Sequence, residues 1–165
     1  MKIRLAGMDD VPAIARVTVD TWKTAYRGLL DQKYLDNLSY EKREEGWRNF
    51  PFDTAFIYVA EDGAGNIIAF AAAGPERTDH PVFHGELYAI YIRDDYQRQG
   101  IGDALFQAVK QHLLDSGIDS LMLWVLSDNH YRRFYDKQGG IALESRQLQM
   151  DDLTCQVTAY GWLDI

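Results

Sequence analysis

The residues with the clearest chemical content lie in one stretch, ELYAIYIRDDYQRQGIG, from Glu86 to Gly102. An apolar segment, residues 86–92, reads as a buried strand. It gives way to Gln97-Arg98-Gln99-Gly100-Ile101-Gly102, and apolar residues then recur at helical spacing. Glycines at a strand-to-helix turn let backbone N–H groups approach a ligand closely. The helix N-terminus adds unsatisfied donors and a partial positive charge. Together they make an anion site suited to a diphosphate. The stretch lacks the Gly-Lys-Ser/Thr end of a nucleoside triphosphate loop. It also lacks the third glycine of a dinucleotide fingerprint.

Other reactive residue types are sparse. Cys155 stands alone, which excludes an internal disulfide and a cysteine-rich zinc site. With no histidine beside it in sequence, it is expected to be buried as a small apolar side chain rather than to carry an acyl group. His80, His84, His112 and His130 have no metal-ligand spacing, so no metal is expected. The 165 residues include 17 Lys and Arg against 25 Asp and Glu, a formal charge of −8. That balance argues against nucleic acid and against a polybasic membrane patch, while permitting a cationic small molecule. No apolar run approaches the length of a membrane span, and MKIRLAGMDD has no apolar signal core. A cytoplasmic location is therefore expected, and the cysteine usage suits a reducing compartment.

The chain must supply elements to hold the glycine loop. Residues 2–6 read as a strand. Asp9 and Asp10 offer N-cap oxygens to a helix over residues 11–26, with Pro12 in its first turn and Gly28 beyond its end. Asp31 begins a second helical stretch, which continues after Ser39 and closes at Pro51. Residues 55–60 and 67–73 form a hairpin, and residues 77–85 form a loop. Residues 86–92 make the next strand and residues 100–116 a helix. Residues 121–126 are a buried strand, residues 129–138 a short helix, and residues 142–150 and 154–163 two final strands. The order β-α-α-β-β-β-α-β-α-β-β predicts a mixed α/β domain spanning residues 1–165 with about four helices.

Gln97, Gly100 and Gly102 stand at the defining positions of the pattern Gln/Arg-x-x-Gly-x-Gly/Ala. The stretch thus resembles the pyrophosphate-binding loop of the GCN5-related N-acetyltransferase (GNAT) family. The strand LYAIYI and the phrase Arg93-Asp94-Asp95-Tyr96 resemble that family's strand and connecting turn. A second block is similar over residues 121–140: strand LMLWVL, then Asn129, then Arg133-Phe134-Tyr135. The resemblance covers nearly the whole chain. Asn129 precedes Tyr135 by six residues where the commonest family spacing is seven, and Gly139-Gly140 replaces the usual Gly-Phe.

The resemblance implies a mostly antiparallel sheet with splayed fourth and fifth strands, and acetyl-CoA bound in the gap. The backbone of Ile90, Tyr91 and Ile92 would pair with the pantetheine amides like an added strand. A backbone N–H near Ile90 would hold the oxyanion. Gln97, Arg98, Gln99, Gly100, Ile101, Gly102 and Asp103 would cradle the diphosphate, and Asn129 would contact the pantetheine arm. The reaction would be direct attack of a primary amine on the thioester in a ternary complex, with CoA as product. Tyr135 would be the general acid. Glu86, eleven residues before Gln97, would be the general base, with Glu61 the alternative. Strand alternation would put Glu86, Tyr88, Ile90 and Ile92 on one face. Trp22, Tyr26, Tyr88 and Trp124 are candidates for the acceptor pocket, where aromatic and acidic side chains would suit a cation. A small-molecule amine (a polyamine, amino sugar or amino acid-like compound) is the expected acceptor. A protein N-terminus is the alternative, and a non-catalytic acetyl-CoA-binding module is an alternative of another class. Homodimerisation through the last two strands is also expected.

Overall fold

Elements whose apolar periodicity was plain form where expected, and their ends are set by local hydrogen bonding. The computed structural model describes all residues, Met1–Ile165. Strand β1 (Lys2–Leu5) leads through a 3-10 turn (Met8–Asp10) into α1 (Val11–Ala25). Two short helices follow, α2 (Gln32–Asp36) and α3 (Tyr40–Arg48). The expected second helical stretch is thus two helices, which raises the count to five. Asp31 caps α2 by accepting from the N–H groups of Lys33 and Tyr34, and Ser39 caps α3 by accepting from Lys42. Then come β2 (Phe56–Glu61), β3 (Ile67–Pro75), β4 (Gly85–Ile92), α4 (Ile101–Asp115), β5 (Leu121–Leu126), α5 (Arg132–Lys137), β6 (Ile141–Met150) and β7 (Leu153–Trp162).

The seven strands form one sheet in the order β1-β2-β3-β4-β5-β7-β6. Every pairing is antiparallel except β4 with β5. Helix α4 covers one face through Ile101, Leu105, Phe106, Val109 and Leu113, which meet Ala69, Ala71, Leu87, Leu121 and Leu123. On the other face Ile14 and Val17 of α1 meet Ile57, Val59, Phe70 and Ala72, and Trp47 of α3 packs beside them. Strand β6 lies at the sheet edge, and its first seven residues are exposed. Val157 and Trp162 of β7 are buried in the core. No helix is long and apolar enough to cross a membrane.

Asp10 does not cap α1 with its side chain. Its carboxylate instead accepts from Arg4 Nη1 and Nη2, both at 2.8 Å, and from the Gly7 N–H. Arg4 also donates to Glu61, so one guanidinium ties β1 to the end of β2 and to the turn before α1. These bonds, with Arg4 the leading cause, hold the Asp10 carboxyl below its ordinary value of 3.8. A carboxyl depressed in the folded state adds stability above its unfolded value and loses it as pH falls. Replacing Asp10 with Asn is expected to cost about 1 kcal/mol at pH 7. In thermal melts the gap between the two proteins should close as pH drops below 3.8.

The feature that matters most for function is in β4. Ala72 lies opposite Ala89, and Ala73 opposite Leu87, so Tyr88 is an extra residue in β4. Such a bulge bends the strand and increases its twist. The parallel pairing with β5 is confined to Gly85 with Leu121 and Glu86 with Met122, and beyond it the two strands diverge. The bulge also breaks the expected alternation. Ile90 and Ile92 pack on the α4 side, whereas Tyr88 packs on the α1 side with Ala89 and Tyr91.

Candidate active site

Two concave regions meet at the diverging part of β4. The first is the gap itself. From Leu87 to Ile92 the edge of β4 that faces β5 has no strand partner, so its backbone groups are open to an extended ligand. At the C-terminal end of β4 the chain turns through Asp94–Tyr96 into α4. Gly100 caps that helix at φ +79, and Arg98 stands at φ +59. Left-handed conformation at these positions turns the backbone sharply into the helix. A Cβ at Gly102 would lie 3.2 Å from Ile92 Cδ1 and 3.3 Å from Phe134 Cε2. Glycine there lets the first turn of α4 close on β4 and α5, which leaves its N–H groups at the mouth of the gap.

The polar residues of the loop are tied down. Gln97 donates to the Ile92 carbonyl at 3.2 Å and accepts from the Tyr131 hydroxyl at 2.9 Å. Gln99 donates to the Asp95 carbonyl. Asp103 accepts from Gln138 at the end of α5. Asn129 is buried, and its Oδ1 accepts from the Tyr131 N–H, forming the turn that starts α5. Side chains therefore brace the loop, and residues 98–100 ahead of α4 are exposed.

Tyr135 sits on α5 beneath the gap, 8% exposed. Its ring packs against Phe134, Tyr160 and Trp162 at centroid distances of 5.4, 5.7 and 6.4 Å. Burial first, and then the Tyr91 hydroxyl nearby, holds its phenol well above the ordinary value. Tyr26 is raised by burial and by both of these tyrosines. Three phenols from α1, β4 and α5 thus converge where the strands part.

The second region is a cavity of ≈ 400 Å³ on the other face of β4, lined by α1, α3, and residues 50–54 and 75–77. Trp22, Tyr88, Ala89 and Tyr91 line it, together with Thr18, Arg43, Trp47, Glu76 and Arg77. The Tyr88 hydroxyl donates to the Pro75 carbonyl at 2.6 Å, and burial pushes its phenol up to about 12. Tyr26 lies behind this wall, edge-on to Trp22 at 5.0 Å. Trp124 lies elsewhere, packed with Phe83 and Met122 under the Arg146 guanidinium at 4.0 Å.

Neither candidate base lines this cavity. Glu86 is buried, at 4% exposure, and does not line the cavity. Its carboxylate accepts from Arg77 Nη2 at 2.7 Å, from Nε at 3.1 Å and from the Arg77 N–H at 3.2 Å. Glu61 is bound to Arg4 of β1 and does not line the cavity either. Nor is the cavity acidic: Glu76 is its one acidic lining residue, beside Arg43 and Arg77. Trp47, Arg43, Glu76 and Arg77 carry no motif and were not singled out by sequence. Cys155 is buried on β7, and burial raises its thiol, so it is a packing residue.

The Acetyltransferase (GNAT) family model matches residues 20–140, which include the diverging strands, the glycine loop and α5. The chain belongs to the GNAT family. This acetyltransferase is 32% identical over 163 residues to "Uncharacterized N-acetyltransferase YuaI" of Bacillus subtilis, covering 99% of this chain and 93% of that protein. Among solved structures it resembles a ribosomal-protein-alanine N-acetyltransferase from Brucella melitensis, with TM-score 0.74 and 20% identity over 98% and 99% of the two chains. It also resembles PaiA N-acetyltransferase from Thermoplasma acidophilum in complex with coenzyme A, with TM-score 0.71 and 18% identity over 96% and 98%. The acetyltransferase is acetyl-CoA-dependent, and acetyl-CoA is its cosubstrate. The unpaired edge of β4 and the exposed N–H groups ahead of α4 fit an extended amide chain ending in a diphosphate.

Proposed function

We propose that residues 1–165 act as one N-acetyltransferase domain that moves the acetyl group of acetyl-CoA to the primary amine of a small molecule held in the ≈ 400 Å³ cavity. The observation that carries this reading is the position of Tyr91. It belongs both to the open segment of β4 and to the cavity wall, so the thioester and the amine would meet across one strand. The amine nitrogen attacks the thioester carbon, and the C–S bond breaks from the tetrahedral intermediate. A backbone N–H of β4 near the bulge stabilises the oxyanion. The nitrogen gives up its remaining extra proton to water, and the sulfur leaves as a thiolate that accepts a hydrogen bond from the Tyr135 hydroxyl and is protonated by solvent.

An alkyl amine has a pKa of about 10.4 and must lose a proton before attack. Partial desolvation in the cavity lowers that pKa, because burial disfavours the ammonium form. The proton leaves to water. In this reading Glu86 is a positioning residue that holds Arg77 over the Tyr88 ring, at 4.2 Å. Glu86→Gln is expected to raise KM for the acceptor about tenfold, the cost of a weakened charged hydrogen bond. The pH dependence of kcat/KM should keep its wild-type shape. If the profile loses its rise with pH, Glu86 is the base.

The reading is tested by an acetyl-CoA assay with free-thiol detection across polyamines, amino sugars, amino acids and peptide N-termini. Thiol release with a small amine supports it, and release with peptides alone replaces it by protein N-terminal acetylation. A rise in Tm with acetyl-CoA but no thiol release from any amine would make the chain a binding module.

A further inference from the structure

We infer that the acceptor carries a carboxylate next to its amine, and that Arg43 is the group that recognises it. The inference rests on the acetyl-transfer reading above and names the class of its second substrate.

The cavity wall has open donors and committed acceptors. Trp22 is 9% exposed and lines the cavity with its ring, while its Nε1–H is buried beside the Tyr91 hydroxyl. The Arg43 guanidinium lies 4.9 Å from the Trp22 ring centroid and forms no ion pair. Arg43 is half-buried on α3 and lines the same cavity.

The acceptors beside them are already used. Glu76 accepts from the N–H groups of Thr78 at 2.9 Å and His80 at 2.8 Å, and from the Thr78 hydroxyl. Thr18 Oγ1 donates to the Ile14 carbonyl and accepts from Trp47 Nε1. The Tyr88 hydroxyl is spent on Pro75, and the Arg77 charge is matched by Glu86. A planar guanidinium without a carboxylate partner suits a ligand carboxylate, which can take two bonds from its fork. A polyamine offers only donors to a wall that needs acceptors. An amino acid or related zwitterion offers the carboxylate that the wall lacks.

The test uses matched pairs, each an L-amino acid and its α-carboxamide, with spermidine as the cationic comparison. Calorimetry measures binding to the CoA-loaded protein, and thiol release from acetyl-CoA measures transfer. The acid is expected to bind at least tenfold more tightly than its amide in at least one pair. Arg43→Gln should erase that ratio without changing affinity for CoA, and Arg43→Lys should restore part of it. Equal binding of acid and amide in every pair, preference for spermidine, or no binding of any amino acid overturns the inference. So does an acid preference that Arg43→Gln leaves intact. An Arg43-dependent preference in binding without thiol release would uphold carboxylate recognition and overturn acetyl transfer.

Discussion

Replacing Tyr135 with Phe is expected to lower kcat about a hundredfold while leaving the Kd for acetyl-CoA nearly unchanged. The ring is held by Phe134, Tyr160 and Trp162, and Phe keeps those contacts. What is lost, on the proposed mechanism, is one hydroxyl that would donate to a sulfur charged only as the C–S bond breaks. An interaction made only in the transition state appears in kcat and not in binding. Proton donation by a positioned side chain contributes typically about 10²–10⁴-fold. The lower end applies here, because burial makes this phenol a weaker acid than an exposed one. A thiol has a pKa of about 8.5, so the thiolate takes a strong hydrogen bond from Tyr135 rather than the whole proton. The sign of the pH effect follows. A raised pKa keeps the phenol protonated to higher pH, so Tyr135 adds no basic limb to kcat below pH of about 10. An unchanged kcat in the Phe variant would remove Tyr135 from the mechanism.

Gly100→Asp is expected to act on the other substrate. Gly100 caps α4 at φ +79, and a Cβ there meets nothing within 4 Å. Aspartate tolerates the left-handed region better than most residues, so the variant should fold. Its charge would stand where the diphosphate is cradled and would occupy the partial positive charge of the helix terminus. Repulsion and the lost backbone contacts together amount to about 3 kcal/mol, or about two orders of magnitude in KM for acetyl-CoA. Saturating acetyl-CoA should recover most of kcat, and the rise of Tm with CoA should shrink accordingly. A KM within twofold of wild type would place the diphosphate elsewhere.

The strands and helices were legible because each carries its own period. Residues 121–126 form β5 as read, and Gly100 and Gly117 flank α4 as the sequence implied. The glycine loop was legible for the same reason, since Gly100 and Gly102 are demanded locally by backbone conformation and close packing. The acceptor half was not. Arg77 comes from a loop after β3, Arg43 from the middle of α3, and Trp22 from α1, and no spacing links them. The face of Tyr88 was misread because a bulge leaves no mark in an alternating apolar run. The role suggested for Glu86 by its distance from Gln97 could not foresee that Arg77, nine residues earlier, would enclose its carboxylate.

The two halves also differ in what they are made of. The diphosphate cradle and the strand edge consist of main chain, which is the same whatever side chains are attached. The wall of the cavity consists of side chains from α1, α3, β4 and residues 50–54 and 75–77, none of which belongs to the glycine loop. Mutation can therefore rewrite which amine is chosen while the acetyl donor stays fixed. A lineage built on this scaffold can drift through acceptors one side chain at a time, keeping its chemistry at every step.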